Sequence, residues 1–388
     1  MSLEELKHKF IEIFGQGIGE IISFHSPGRI NLIGEHIDYN GGLVFPCALD
    51  FGTYGLVRKR NDSKINFVST NFDLRITDDI NNIEYKKEDD WANYPKGVIK
   101  VMKDKGFRVG GMDILISGDI PNGAGLSSSA SLEVLIGYMV NVLFNEETIP
   151  MIELIKISQK AENDFVGVNC GIMDQFAVGM GKENKAILLD CNTLEYSYAD
   201  LDLKDYTLVL INTNKRRALN ESKYNERREE CDKVLNIIKS QKYFKNLCEI
   251  SKDDFQSYKE LLESEVLKKR AKHVVYENER VKEAYKALNE GDLKRFGQLL
   301  IESHNSLRDL YEVTGKELDT VVEEALKVEG CIGARMTGAG FGGCAISIVR
   351  KDRVKDFMEV VGKNYKATIG YEPSFYLSGI GNGTRKLS

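Results

Sequence analysis

The chain has 388 residues, 42% hydrophobic and 29% charged, with a formal net charge of −6. That length favours two domains, and the composition is that of a globular protein rather than a disordered one. A mild negative balance without any block of like charge argues against nucleic acid and acidic membranes as principal partners and leaves a small ligand.

Taken in chain order, Ser2-Leu3-Glu4-Glu5 reads as a capping box, with Leu6, Phe10 and Ile13 at helical spacing and Gly15 as a stop. The start is therefore expected to be a helix, not a signal peptide. Short β-like runs at 21–24 and 56–57 precede an alternating strand at 112–116. A Gly/Ser loop then leads into a helix carrying Leu132, Leu135, Ile136, Met139 and Leu143. Further strands are expected at 186–189 and 206–212. A long run of charged helical pattern extends to Asp309, followed by a strand at 343–349, a helix and a last strand at 374–377. The change in composition near residue 200 sets the expected boundary between domains 1–205 and 206–388. No stretch approaches the roughly 20 apolar residues of a membrane span. The seven cysteines, an odd count without a C-x-x-C pair, fit neither a disulfide framework nor a zinc site, and a reducing cytoplasm suits them best.

Four segments carry chemistry. In the run from Ser26 to Gly42, Glu35, His36 and Asp38 lie close together on a turn, where carboxylates can accept hydrogen bonds from adjacent hydroxyls, as a sugar offers. A polar loop with capping acids is the plain alternative. The second segment, Gly118 to Ser131, joins strand to helix through Gly123, Ala124, Gly125 and Leu126, followed by Ser127, Ser128 and Ser129. Glycines allow close approach, a helix start favours phosphate, and the hydroxyls add donors and a candidate Mg²⁺ ligand.

No Walker loop is present. Gly338 to Gly343 matches G-x-G-x-x-G, yet a β-branched run follows where a dinucleotide fingerprint needs a helix. This third segment is instead expected to cross close to another backbone or to the phosphate loop. In the fourth, 167–176, Asp174 is a lone acid among apolar and glycine residues, with Arg29 as its obvious partner. Glu162, at the end of an expected helix, reads either as a surface acid or as a second Mg²⁺ ligand. His8, His25, His273 and His304 show no ligand spacing to His36, which excludes zinc.

Together these residues resemble the galactokinase family, within the superfamily of galactokinases, homoserine kinases, mevalonate kinases and phosphomevalonate kinases. The likeness covers nearly the whole chain, including stretches 91–94, 215–228, 273–280 and 303–314. It implies a two-domain α+β small-molecule kinase with mixed sheets, packed helices and an active site in the interdomain cleft. The implied activity is ATP-dependent phosphorylation of the C1 hydroxyl of α-D-galactose, the first committed step of galactose catabolism, in a cytoplasmic monomer or weak homo-oligomer.

By the same resemblance, Glu35, His36, Ile37 and Asp38 bind the sugar, with Gly171 and Tyr224 closing the pocket. Gly123 to Ser129 wrap the ATP phosphates, Ser69 and Trp91 lie toward the nucleotide, and Ser129 or Ser128 with Glu162 holds Mg²⁺. Asp174 is the implied base on the C1 hydroxyl, and Arg29 stabilises the transferring phosphoryl group. The chain departs from the family pattern at Ile37 for threonine, Asp119 for asparagine and Ala339 for glycine, so Ile37 is where substrate preference is expected to be decided. Rival readings are a kinase for galacturonate or N-acetylgalactosamine, the former opposed by the charge of Glu35, and a non-catalytic galactose sensor. A nicotinamide oxidoreductase is the third, and the strand after Gly343 speaks against it.

Overall fold

The computed structural model describes residues 1–17, 19–120, 125–215 and 220–388. Helix α1, Leu3–Phe14, starts as the sequence predicts: Ser2 Oγ accepts from the Glu5 backbone at 3.2 Å, and Glu5 accepts from the Ser2 backbone at 2.7 Å. Gly15, at φ 73°, ends it. Its apolar stripe buries Leu6 and Phe10 against Leu56 and Leu115.

Strands β1 (Ile22–Asn31), β2 (Leu43–Val44), β3 (Pro46–Lys59), β4 (Lys64–Ser69) and β5 (Arg75–Asp79) follow. Helix α2 (Asn93–Asp104) leads to β6 (Met112–Gly118), and the phosphate segment then enters α3 (Ser128–Phe144). Next come α4 (Met151–Lys160), a π-helical turn at Ala161–Val166, α5 (Met173–Met180), β7 (Lys185–Asp190), β8 (Tyr196–Asp200) and β9 (Tyr206–Asn212). The charged stretch forms α6 (Asn220–Lys239), α7 (Lys252–Tyr258), α8 (Glu265–Asn289) and α9 (Leu293–Ser306). The chain closes with α10 (Lys316–Lys327), β10 (Cys331–Thr337), β11 (Cys344–Arg350), α11 (Val354–Ile369), β12 (Ser374–Leu377) and β13 (Arg385–Lys386).

The strands form three sheets, ordered β13-β1-β3-β6-β4-β5, β10-β11-β9-β12 and β2-β7-β8. Only the β4–β6 pair among the described strands is parallel. Helices α2, α3 and α4 cover the first sheet, burying Val98, Leu135, Met139 and Leu154 with Phe67 and Ile114. A second core runs from Ile30, Leu32 and Phe45 through Leu210 and Ile346 to Val274 and Val281 of α8.

We keep the 205/206 boundary as a proposal. The four-stranded sheet is built entirely from residues after it, while β13 returns to pair with β1. Two features of the fold prepare the site. The β1–β3 register slips between Pro27 and Arg29, and Gly28 at the slip lies so close to the phosphate segment that a Cβ there would stand 3.2 Å from the Leu126 carbonyl. No helix among the described residues is long and apolar enough to cross a membrane.

Candidate active site

Beyond β1 the chain turns sharply through Gly34 (φ 102°) and His36 (φ 61°) into a short helical turn at Asp38–Asn40. Helix α8 holds this turn from behind. Glu277 Oε1 accepts from the Gly34 backbone at 3.1 Å, and His273 Nε2 donates to the Glu35 carbonyl at 3.1 Å. Burial alone would raise Glu277, but Arg280, His273 and Arg335 outweigh it and hold its carboxyl down at about 2.

Glu35 is itself buried and accepts from Asn31 Nδ2 at 2.6 Å and from the Gly338 backbone at 2.7 Å, with Arg335 3.7 Å away. Burial pushes its carboxyl up, against the pull of Arg335. Each Glu35 oxygen has thus met one protein donor and keeps capacity for another.

His36 behaves differently from the expectation. Its Nε2 lies 3.1 Å from the Ala339 carbonyl, so it must donate there, and Nδ1 then accepts from Tyr39 Oη at 2.9 Å. Tyr311 Oη lies 2.8 Å from Tyr39 Oη and continues the chain. Burial lowers the imidazole to about 3, so it is neutral, and both ring nitrogens are already used. His36 therefore fastens the third glycine segment to the first and turns only its ring toward the cavity, beside Tyr224 at 5.5 Å.

The third segment crosses close to others, as expected. Thr337 and Asn31 exchange two hydrogen bonds at 3.0 and 3.1 Å. A Cβ on Gly338 would lie 3.1 Å from the Gly125 carbonyl, and one on Gly340 would lie 2.2 Å from the Val313 carbonyl.

Arg29 and Asp174, 145 positions apart, meet as a fork. Nε donates to Oδ1 at 2.9 Å and Nη2 to Oδ2 at 2.7 Å, while Nη1 donates to the Gly125 carbonyl at 2.9 Å. Ser127, in the left-handed region at φ 60°, donates its hydroxyl to Asp174 Oδ2. Asp119, the departure before the loop, accepts from the Gly52 backbone at 2.6 Å and ties the loop to β3.

Below this pair, Glu162 leaves the helical register on its π-helical turn and is 7% exposed. Gln175 Nε2 donates to Glu162 Oε2 at 2.7 Å and to Glu133 Oε2 at 3.0 Å. Burial, then the charge of Asp174, pushes Glu162 up to about 7, and burial, then the charge of Glu162, raises Glu133 well above the usual carboxylate range. Glu133 Oε1 and Gln175 Oε1 are buried without partners, an arrangement that costs about 1–3 kcal/mol for each such group.

A cavity of about 280 Å³ brings together Arg29, Glu35, His36, Asp38, Gly171, Asp174 and Tyr224 with Gly125, Ser127, Ser128, Ser129 and Glu162. Asp38 is pushed up to about 7 by burial, with the Asp174 charge adding to it. Gly123 and Ala124 lie outside the described residues. Leu126 is buried in the core, and its carbonyl accepts from the Arg29 backbone at 3.2 Å. Ser69, which accepts from the Asn71 backbone, and Trp91, stacked on Phe72, do not line this cavity.

Ile37 is not in it either. Its side chain is fully buried in the core, while Glu35, His36 and Asp38 on either side of it line the cavity. The sequence expectation that Ile37 decides the substrate is corrected accordingly. Ile37→Thr is expected to leave the order of preference among hexoses unchanged and to cost about 1–3 kcal/mol of stability for its buried hydroxyl. Thermal unfolding and a hexose panel check this, and a reordered panel would refute it.

The sequence reading missed Asn31, Tyr39, Glu133, Gln175 and Arg335. Only Glu133, a lone acid in an apolar helix, and Arg335, just before the third segment, left a signal.

A glycine–serine loop at a helix start, an Asp–Arg fork and an acid-lined pocket in this fold define a small-molecule kinase of the GHMP class. The GHMP kinase N-terminal domain matches residues 93–182, the GHMP kinase C-terminal domain 284–367 and the galactokinase galactose-binding signature 8–59. The galactokinase of Clostridium tetani is 62% identical over 387 residues, spanning 100% of this chain and 98% of that one. That of Clostridium beijerinckii is 54% identical over 389 residues, spanning 100% and 99%. The crystal structure of Lactococcus lactis galactokinase complexed with galactose is 49% identical, covers 99% of this chain and 100% of its own, and superposes with a TM-score of 0.97. Methanococcus jannaschii mevalonate kinase, at 19% identity and a TM-score of 0.65, shares the fold. The chain belongs to the galactokinase family, phosphotransferases that use ATP.

Proposed function

We propose that the chain transfers the γ-phosphoryl group of ATP to the C1 hydroxyl of α-D-galactose, giving galactose 1-phosphate and ADP. One observation carries the reading: Glu35, Asp38 and Asp174 converge on a cavity that the start of α3 also lines. Acceptors for sugar hydroxyls thus share a cavity with a helix end suited to phosphate.

Asp38 and the free lone pairs of Glu35 accept sugar hydroxyls, and Tyr224 with the His36 ring supplies an apolar face. Asp174 aligns the attacking hydroxyl and takes its proton. Arg29, bound to both Asp174 and the Gly125 carbonyl, sits where charge develops during transfer, and phosphoryl transfer relies mainly on such positioning and neutralisation.

The hard oxygens of Ser129 or Ser128 and of Glu162 suit Mg²⁺, and no group of three or more His, Cys, Asp or Glu among the described residues is arranged for a metal. So sparse a protein ligand set fits an ion that completes its shell on phosphates and water. Bound there, Mg²⁺ would neutralise the phosphate oxygens. None of the seven cysteines forms a disulfide, which together with ATP as substrate supports a cytoplasmic setting.

Asp38→Ala is expected to raise KM for galactose about 10–100-fold, the loss of hydrogen bonds to a charged group, with ATP kinetics intact. The deciding experiment follows ADP release from MgATP with galactose, galacturonate and N-acetylgalactosamine. Galactose is expected to be fastest, and no release with galactose would overturn the reading.

A further inference from the structure

Gln175 lies one residue beyond Asp174, has no exposed surface, and directs its amide nitrogen at two carboxyl groups, Glu162 and Glu133. Its own oxygen and Glu133 Oε1 find no partner. The reaction described above uses neither residue. An apolar pair would fill this interior without orphaned oxygens, so packing gives no reason for an amide and an acid here.

Orientation does give one. Turning the amide over would set its oxygen against both carboxyl groups, so the two acids lock Gln175 with its N–H groups toward Glu162. Glu162 is in turn pinned from behind through Oε2, which Cys170 Sγ also approaches at 3.5 Å. Its other contacts are Ser129, which shares the cavity wall with it, and the Glu133 carboxyl itself.

We propose that Gln175, held in orientation by Glu133, is the positioning residue for Glu162, setting that carboxylate at the angle needed by a divalent cation bound to nucleotide phosphates. The inference rests on the assignment of Glu162 made above. It makes the start of α5 a double support, with Asp174 serving the reacting hydroxyl and Gln175 serving the cation carboxylate.

The test measures Mn²⁺ binding to the complex of full-length protein and ADP, by the electron paramagnetic resonance signal of free Mn²⁺. Replacing both partners with apolar residues, Glu133→Leu with Gln175→Met, is expected to lower Mn²⁺ affinity about 10–100-fold, as loss of an outer ligand-orienting group does. Thermal stability should be unchanged or higher, and metal-free galactose binding by calorimetry unchanged. Glu133→Gln, which still accepts from Gln175, should keep the Mn²⁺ affinity.

Glu162→Ala is the reference. If it loses Mn²⁺ affinity while the double variant keeps it, the positioning role is refuted. If Glu162→Ala also keeps it, the assignment of Glu162 falls and takes the inference with it. Should the double variant not fold, Gln175→Asn, whose shorter amide cannot span both carboxyl groups, is expected to show the loss, and retained affinity would refute the role equally.

Discussion

Asp174→Ala is expected to lower kcat by about 10²–10⁴, the usual contribution of a positioned general base. An ionised carboxylate has about four acceptor directions, and here Arg29 Nε takes one on Oδ1 while Arg29 Nη2 and Ser127 take two on Oδ2. One direction on Oδ1 is left for the substrate hydroxyl, and the fork fixes where it points. Asp174→Asn separates the two roles, since an amide still offers an oxygen for alignment but cannot take the proton. Turnover by the asparagine variant as low as that of the alanine variant assigns proton acceptance, and an intermediate rate assigns alignment. Galactose binding measured by calorimetry should survive in both. Near-normal turnover by Asp174→Ala would remove the residue from the mechanism.

How much of this was legible depended on whether the physics was local. Tyr206–Asn212 and Ser374–Leu377 read as strands to the residue, because apolar runs between turn formers leave few options. The start of α3 at Ser128 was equally clear from the glycines and serines before it. The Arg29–Asp174 pair could be anticipated across the whole first half of the chain, since a lone acid in an apolar segment needs a cation and few were placed to serve.

Side-chain direction on a turn was not legible. Spacing set Glu35, His36 and Asp38 together and the resemblance added Ile37, but in the fold Ile37 is buried in the core and two protein partners occupy the imidazole. Long-range returns were hidden as well. Nothing in residues 385–386 announces that they pair with β1, nor in Lys64–Ser69 that this strand lies between the antiparallel β5 and the parallel β6. Glu133 left a signal as the one acid of α3, but the apolar spacing of that helix does not say what the acid meets.

On the proposed reading, the start of α5 gathers three separate demands on one turn: a wall for the sugar at Gly171, alignment of the hydroxyl at Asp174, and support of Glu162 by Gln175. Displacing this turn therefore disturbs sugar, hydroxyl and cation carboxylate together, whereas truncating any one side chain disturbs only its own contact. Backbone position, more than any single functional group, is what the site depends on here.

Gly171→Ala is the sharpest probe of that dependence. A Cβ at Gly171 would stand 1.8 Å from Asp38 Oδ2, far inside any real contact. The backbone there is not in the left-handed region, so alanine meets no conformational objection and the whole effect is steric. Either Asp38 swings out of the sugar pocket or the turn carrying Asp174 recedes, and a displacement near 1 Å costs on the order of 10² in rate. We therefore expect kcat/KM for galactose to fall by at least about 10-fold if Asp38 gives way, and by about 10²-fold or more if the turn recedes. The split identifies which side gives way: a rise in KM alone means that Asp38 moves, as in Asp38→Ala, whereas a fall in kcat with it means that α5 has shifted. Combining Gly171→Ala with Asp38→Ala relieves the clash, so the double variant should recover the kcat of Asp38→Ala. A double variant slower than both singles would show that Gly171 acts through something other than the space it leaves for Asp38.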